Sequence, residues 1–102
     1  MNWRQIIDKY YSDNAELKDI LLRHSSAVAR KALDIAERHP ELNLDLNFIE
    51  EAAMLHDIGV IKTDAPDIKC YGHEPYIRHG VLGAEMLRAE GMARHARVCE
   101  RH

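Results

Sequence analysis

Histidine is the residue type in this sequence that most clearly points to chemistry. Seven histidines are spread along the chain, and His56 is followed directly by Asp57 in the string Leu-His-Asp-Ile-Gly. A neutral imidazole offers a nitrogen lone pair and a carboxylate offers negative charge, so an adjacent His-Asp pair can approach one metal ion from two directions. The alternative is that Asp57 only pairs with His56 or caps a neighbouring helix.

His24 is a second candidate ligand, placed by a long predicted helix. Apolar residues recur at helical spacing from Ala15 to about Arg38, and His24 lies in that stripe between Leu21 and Val28. We therefore expect its ring to face the core, where an imidazole needs a polar partner. On position alone, a hydrogen-bonded core histidine is the more common explanation.

A shorter helix, predicted from about Phe48 to Ile58, positions the His-Asp pair. Ile49, Ala53 and His56 share one face of this helix, so His56 is expected to point into the core, with Asp57 about 100° around the axis. A buried carboxylate in that position needs a partner, which favours a metal ion or a hydrogen bond.

The residues on either side of this helix give its expected limits. Residues 42–48 alternate apolar and polar side chains, which alone would predict a strand. We prefer a helix start, because Asn47 followed by Glu50 is typical of a helix N-terminus and no partner strand is predicted. Gly59 is expected to end the helix in the left-handed conformation.

The apolar periodicity of the whole chain predicts five helices and no confident strand. Residues 60–74 contain proline, glycine and mixed polar residues, which predict a functional loop. Pro75 suits the first turn of the helix that follows it. The five predicted helices cover residues 2–11, 15–38, 48–58, 75–90 and 92–102.

Taken together, these residues resemble the HD superfamily of metal-dependent phosphohydrolases, most closely its small HDIG-type members. The similarity runs from about Leu17 to the C-terminal residue. It is carried by His24, Met54–Gly59, Arg78–Gly80, Gly83–Leu87 and Glu100–His102. The resemblance implies an all-α bundle of about five helices, forming a single domain over residues 1–102.

The resemblance also implies a set of metal ligands. His24, His56 and Asp57 match the primary ligands, while His79 and His102 match later histidines that line the site or hold a second metal. A final aspartate has no counterpart, so we expect the domain to be truncated before its last helices and to bind metal more weakly. Mixed imidazole and carboxylate ligands favour a divalent Mn, Fe, Co, Ni or Zn ion.

The activity implied is hydrolysis of a phosphate ester, with a nucleotide or another phosphorylated small molecule as substrate. Asp57 would orient the attacking water, and Lys62, Arg78 or Arg101 would hold phosphate oxygens. Many relatives carry a lysine directly after Ile-Gly, where this chain has Val60. An ordinary solvated surface charge is the alternative for each of these cations.

Two other function classes stay open at the level of sequence. A non-catalytic metal-binding or regulatory HD module would keep the fold without turnover, and the incomplete ligand set favours it. A di-iron oxygenase on the same fold is the other alternative, because fold does not fix chemistry. Release of phosphate, absence of turnover and consumption of dioxygen would distinguish the three.

Composition and charge exclude several partners. The 102 residues, 46% hydrophobic and 30% charged, are typical of one soluble globular domain. A formal charge of −3 provides no overall basic field for duplex nucleic acid or anionic lipid. No apolar run suggests a membrane span or a secretory signal, so we expect a cytoplasmic protein with reduced cysteines. A truncated bundle would expose apolar faces that a homodimer would cover.

Overall fold

The computed structural model describes residues 2–102, which fold into an all-α bundle, as the sequence predicts. The five α-helices are α1 (Trp3–Tyr11), α2 (Ala15–Glu37), α3 (Leu46–Leu55), α4 (His79–Ala89) and α5 (Ala93–Arg101). Short 3-10 turns occupy Pro40–Leu42, Ile58–Lys62, Pro66–Ile68 and Tyr76–Arg78. The predicted functional loop, for which no strand was predicted with confidence, contains two antiparallel two-residue strands, β1 (Asp64–Ala65) and β2 (Cys70–Tyr71).

Asparagine side chains fix the starts of the first two helices. The Asn2 side chain accepts a hydrogen bond from the Gln5 backbone N–H, and the Gln5 side chain accepts one from the Asn2 backbone, which completes a capping box. The Asn14 side chain accepts from the Leu17 backbone N–H in the same way. These caps satisfy backbone donors that the first turn of a helix leaves unpaired.

The third helix differs at both ends from the sequence prediction. It starts at Leu46 because Asp45, and not Asn47, is its N-cap, with the Asp45 carboxylate accepting the Phe48 N–H at 3.1 Å. It ends at Leu55, where the chain tightens into the 3-10 turn Ile58–Lys62. The rejection of a strand over residues 42–48 is confirmed.

Gly59 does not end the helix in the left-handed conformation, so that expectation was wrong. Among the glycines of residues 2–102, Gly91 has the positive φ, at 77°. Gly59 lies directly against α4 instead, where an added Cβ would be 2.1 Å from the His79 carbonyl oxygen and 2.4 Å from the Gly83 nitrogen. The glycine is therefore needed for close approach of two backbones.

The hydrophobic core lies beneath the turn that follows α3. Ile6 and Tyr11 of α1 pack there with Leu55, Ile58 and Leu87, all of them fully buried. The Tyr11 hydroxyl donates a hydrogen bond of 2.7 Å to the Ile58 carbonyl oxygen, so burial leaves this polar group paired. Each large apolar side chain buried here contributes about 1.5–3 kcal/mol. The core thereby fixes the backbone on both sides of Asp57.

Cys70 and Cys99 are both buried free thiols, as expected for reduced cysteines. Within residues 2–102, the helices are too short or too polar for any of them to cross a lipid bilayer.

Candidate metal centre

Four histidine rings surround the carboxylate of Asp57. Asp57 Oδ2 lies 3.0 Å from His24 Nε2 and 3.2 Å from His56 Nε2. Its other oxygen, Oδ1, lies 2.9 Å from His102 Nε2 and 3.4 Å from His79 Nε2. The rings come from α2, the end of α3, the start of α4 and the residue after α5. The five residues named as ligands from the sequence therefore lie together.

The five side chains form two groups that share one carboxylate. Potential ligand atoms of His24, His56 and Asp57 lie within 4.8 Å of one another, and so do those of Asp57, His79 and His102. The Nε2 atoms of His79 and His102 are 3.2 Å apart. Asp57 can therefore offer one oxygen to each of two neighbouring positions.

Backbone carbonyl groups orient three of the four rings. In His56, His79 and His102, Nδ1 lies 2.5, 2.8 and 2.5 Å from the carbonyl oxygen of the residue three positions earlier. A carbonyl oxygen can only accept a hydrogen bond, so Nδ1 carries the proton and donates it. Nε2 then presents its lone pair to the centre, which is the arrangement that orients histidine ligands in metal sites.

This donor set fits a metal ion. In their neutral form the His79 and His102 rings would direct two lone pairs at each other across 3.2 Å, and also at Asp57 Oδ1. Such contacts are favourable only when a proton or a metal cation lies between the atoms. Imidazole nitrogen together with carboxylate oxygen is a ligand set suited to first-row divalent ions.

The charge on Asp57 is maintained despite burial. Burial opposes ionisation, but when the rings are protonated, the hydrogen bond from His56 and the positive charge of His56, His102 and His79 outweigh it and lower the pKa of Asp57 to about 2. Burial also opposes protonation of His56, yet hydrogen bonds to Asp57 and to the Ala53 carbonyl raise its pKa. Asp57 is therefore a carboxylate at neutral pH and attracts a cation.

A small cavity gives access to the centre. Its volume is about 150 Å³, and its walls include His24, Asp57 and Tyr76 together with apolar side chains of α2. The His24 side chain is 55% exposed, so the expectation that it faces the core was wrong. Leu21 and Ser25 hold the buried stripe of α2, and His24 lies beside that stripe at the mouth of the cavity.

A family model described as "HD domain" matches residues 21–101 of this chain. The chain belongs to the HD domain family. The matched range contains four of the five clustered residues, with His102 directly after it, so the resemblance drawn from the sequence is confirmed.

Curated relatives of this HD domain are longer proteins. A tRNA (cytidine(56)-2'-O)-methyltransferase of Thermoplasma volcanium is 33% identical over 85 residues, which cover 82% of the chain and 21% of that protein. The enzyme of the same name from Picrophilus torridus is 33% identical over 92 residues, which cover 89% of the chain and 22% of that protein. The chain thus spans about a fifth of their length. No solved structure matched the chain.

Two of the cations predicted to bind phosphate, Lys62 and Arg78, do not lie against Asp57 as the histidines do. Lys62 is exposed at the end of the turn that follows Asp57. Arg78 is exposed beside His79, but its guanidinium donates to the Glu74 carboxylate at 3.0 Å. The structure does not bring either side chain into contact with the histidine cluster, and their role in holding phosphate stays a prediction.

One cation near the HD centre was missed by the sequence analysis. Arg97 and Arg101 line a shallow cavity of about 320 Å³ together with Val98 and His102. Arg101 had been named as a local cation, but Arg97 had not. The spacing of four residues between Arg97 and Arg101, which places both on one face of α5, is the sequence signal that could have identified Arg97.

Proposed function

We propose that this HD domain is a metal-dependent phosphohydrolase. The observation that carries the proposal is the set of histidine rings whose Nδ1 atoms are tied to backbone carbonyls, which leaves Nε2 lone pairs aimed at a shared carboxylate. The His56 and Asp57 side chains are only 11% and 15% exposed, and polar groups removed from water in this way are costly unless a cation satisfies them. Membership of the HD domain family supports the same function.

His24 and His56 would hold one divalent ion and His79 and His102 a second, with Asp57 shared between them. A bound Mn, Fe, Co, Ni or Zn ion would supply Lewis acidity and make water acidic enough to attack phosphorus near neutral pH. Asp57 presents one oxygen to each ligand group, and so is placed to orient a water molecule as well. Lys62 and Arg78, both exposed on the turns that follow Asp57 and precede His79, would hold phosphate oxygens.

The substrate class in this proposal is a phosphate ester of a nucleotide or another phosphorylated small molecule. The cavity beside His24 and Asp57, about 150 Å³ in volume, suits a group of limited size, and its other walls are mostly apolar. A phosphate group at the histidine cluster would then be followed by a compact organic group in the cavity.

Metal content tests the proposal directly. We expect the purified chain, incubated with Mn²⁺ and desalted, to retain up to two ions, one for each ligand group. A variant carrying both His56→Ala and Asp57→Ala should retain none, because the shared carboxylate and a buried ring are lost. His39→Ala is the matched control, since His39 is exposed and pairs with Glu41 away from the cluster.

Phosphate release from a panel of phosphate esters, measured with the same variants, completes the test. Hydrolysis by the wild type and by His39→Ala, but not by the double variant, would support the proposed activity. Equal metal content in the wild type and the double variant would contradict it.

The curated relatives favour a second candidate function. The tRNA methyltransferases contain a matching segment as about a fifth of their length, which is typical of an accessory module in a larger enzyme. The chain would then be a non-catalytic metal-binding or regulatory HD module of a tRNA-modifying protein. Metal binding without phosphate release, combined with binding to tRNA, would favour this candidate over the hydrolase.

A further inference from the structure

The outer face of α5 carries two arginines beside the metal centre. Arg97 and Arg101 are exposed, and they share a cavity of about 320 Å³ with His102, whose Nε2 lies 2.9 Å from Asp57 Oδ1. A group bound between the arginines would therefore lie next to the phosphate ester that the proposed function places at the histidine cluster.

The two arginines are available for a ligand. Among residues 2–102, neither forms an ion pair, whereas five other arginines are each paired with a carboxylate, namely Arg23, Arg38, Arg78, Arg88 and Arg94. The nearest acid on α5, Glu100, is held by two hydrogen bonds of 2.8 and 3.1 Å from Arg88. Exposed guanidinium groups without a protein carboxylate bind phosphate oxygens well, because their donors match the geometry of two oxygens.

An apolar cavity adjoins the arginine pair. Val98 and His102 line both cavities, and the apolar one has a volume of about 330 Å³ between α2, α3 and α5. Phe48 forms part of its wall, and the Arg94 guanidinium lies 3.8 Å from the Phe48 ring centre. A flat, weakly polar ring is the kind of group that such a wall accommodates.

We propose that Arg97 and Arg101 form an anion subsite for a second phosphate group of the substrate, and that this apolar cavity, in place of the smaller cavity beside His24, takes its base. The inference rests on the proposed function and narrows its substrate to a nucleotide with more than one phosphate. The second phosphate has two chemical sources, namely a nucleoside polyphosphate or a short single strand with a terminal phosphate. Both sources present a second phosphate group next to the phosphate group that reacts.

Binding to the metal-free chain tests the subsite separately from catalysis. With EDTA present and at low ionic strength, calorimetry should give about tenfold tighter binding of ADP than of AMP, because one more charge-assisted contact is formed. The Arg97→Gln/Arg101→Gln variant should bind the two nucleotides equally. Both arginines are exposed and glutamine favours helix, so the variant is expected to fold.

The matched control is Arg23→Gln/Arg30→Gln. These two arginines also line a surface cavity on α2, about 380 Å³ in volume, but neither lines the arginine cavity or the apolar cavity of the proposal. The control makes the same change of net charge and should keep the preference for ADP. Loss of the preference in the control as well would show that overall charge, and not the subsite, accounts for it, and would overturn the proposal.

Two further probes identify the source of the second phosphate and the role of the cavity. A 5'-phosphorylated dinucleotide that binds as tightly as ADP would assign the subsite to a strand, and weaker binding would assign it to a nucleoside polyphosphate. Pyrophosphate should bind more weakly than ADP, because it has no base; equal binding would overturn the assignment of the apolar cavity.

The outcomes separate this inference from the proposed function. An unchanged ratio of ADP to AMP affinity in Arg97→Gln/Arg101→Gln would overturn the subsite, even where the metal-loaded chain releases phosphate. A subsite that behaves as expected in a chain without hydrolytic activity would instead contradict the phosphohydrolase function and leave the subsite standing.

Discussion

The contact between Gly59 and α4 is the feature that most directly joins the fold to the metal centre. An alanine Cβ at position 59 would stand 2.1 Å from the His79 carbonyl oxygen and 2.4 Å from the Gly83 nitrogen. Ordinary van der Waals contact begins at 3.4 Å, and the atoms in the way belong to the backbone. Gly59→Ala therefore has to push the start of α4 away by about 1 Å or more.

This displacement has a cost in stability and a cost in metal binding. Overpacking of this kind costs about 1–3 kcal/mol, and we expect the upper end because backbone has to move. For a domain of this size, that loss lowers Tm by roughly 10–20 °C. Metal ligands tolerate shifts of only about 0.2 Å, so His79 should leave the group that it forms with Asp57 and His102.

Calorimetric titration with Mn²⁺, together with thermal unfolding, measures both effects. Gly59→Ala should bind one ion at the His24–His56–Asp57 group and lose the second. Gly91→Ala is the matched control, because its φ of 77° makes alanine strained by about 1–2 kcal/mol while nothing lies within 4 Å of the added carbon. It should lose stability but bind both ions. Two ions bound with wild-type affinity by Gly59→Ala would refute the reasoning.

Three further predictions follow from the titratable groups. Bound metal should be lost as pH falls below about 6, because each ligating imidazole must stay neutral; a full complement at pH 4.5 would exclude histidine ligation. Hydrogen bonds from Lys9 and Tyr10 lower the pKa of Glu90. The stability that Glu90→Gln removes should therefore be present at pH 7 and be lost as the pH falls through that lowered pKa. A difference in Tm between wild type and variant that is the same at pH 7 and at pH 3 would contradict this. Burial and the charges of Asp57 and Glu100 raise the pKa of Cys99 to about 12, so the folded chain should react slowly at this thiol at pH 8, whereas rapid labelling before unfolding would be inconsistent with its burial.

The helices were predictable where local chemistry decides their limits. Asn2 and Asn14 cap α1 and α2 as their positions before apolar stripes suggest. The start of α3 was not predictable, because Asp45 and Asn47 are both good N-cap residues and the choice between them depends on how the helix packs. The role of Gly59 was also hidden, since a close backbone approach and a left-handed turn both require glycine.

The residue types of the centre were predictable, but their geometry was not. Sequence places His56 and Asp57 together and His79 and His102 on separate elements, yet only tertiary packing brings them to one carboxylate. His24 was predicted to lie on the buried face of α2. It does not, because the apolar stripe of α2 is broad and Ser25 takes the buried position. The carbonyl contacts to Nδ1 depend on side-chain rotamers, which apolar periodicity does not report.

The hydrophobic core fixes the metal centre in place before a cation binds. Tyr11, Leu55 and Ile58 are fully buried directly beneath Asp57, so apolar burial fixes the turn that carries the carboxylate. The histidine rings are then brought within 3.4 Å of it although neutral rings would repel it. A cation relieves that repulsion without any need to reorganise the helices. Metal binding should therefore stabilise a site that is already formed, and the fold should survive removal of the metal.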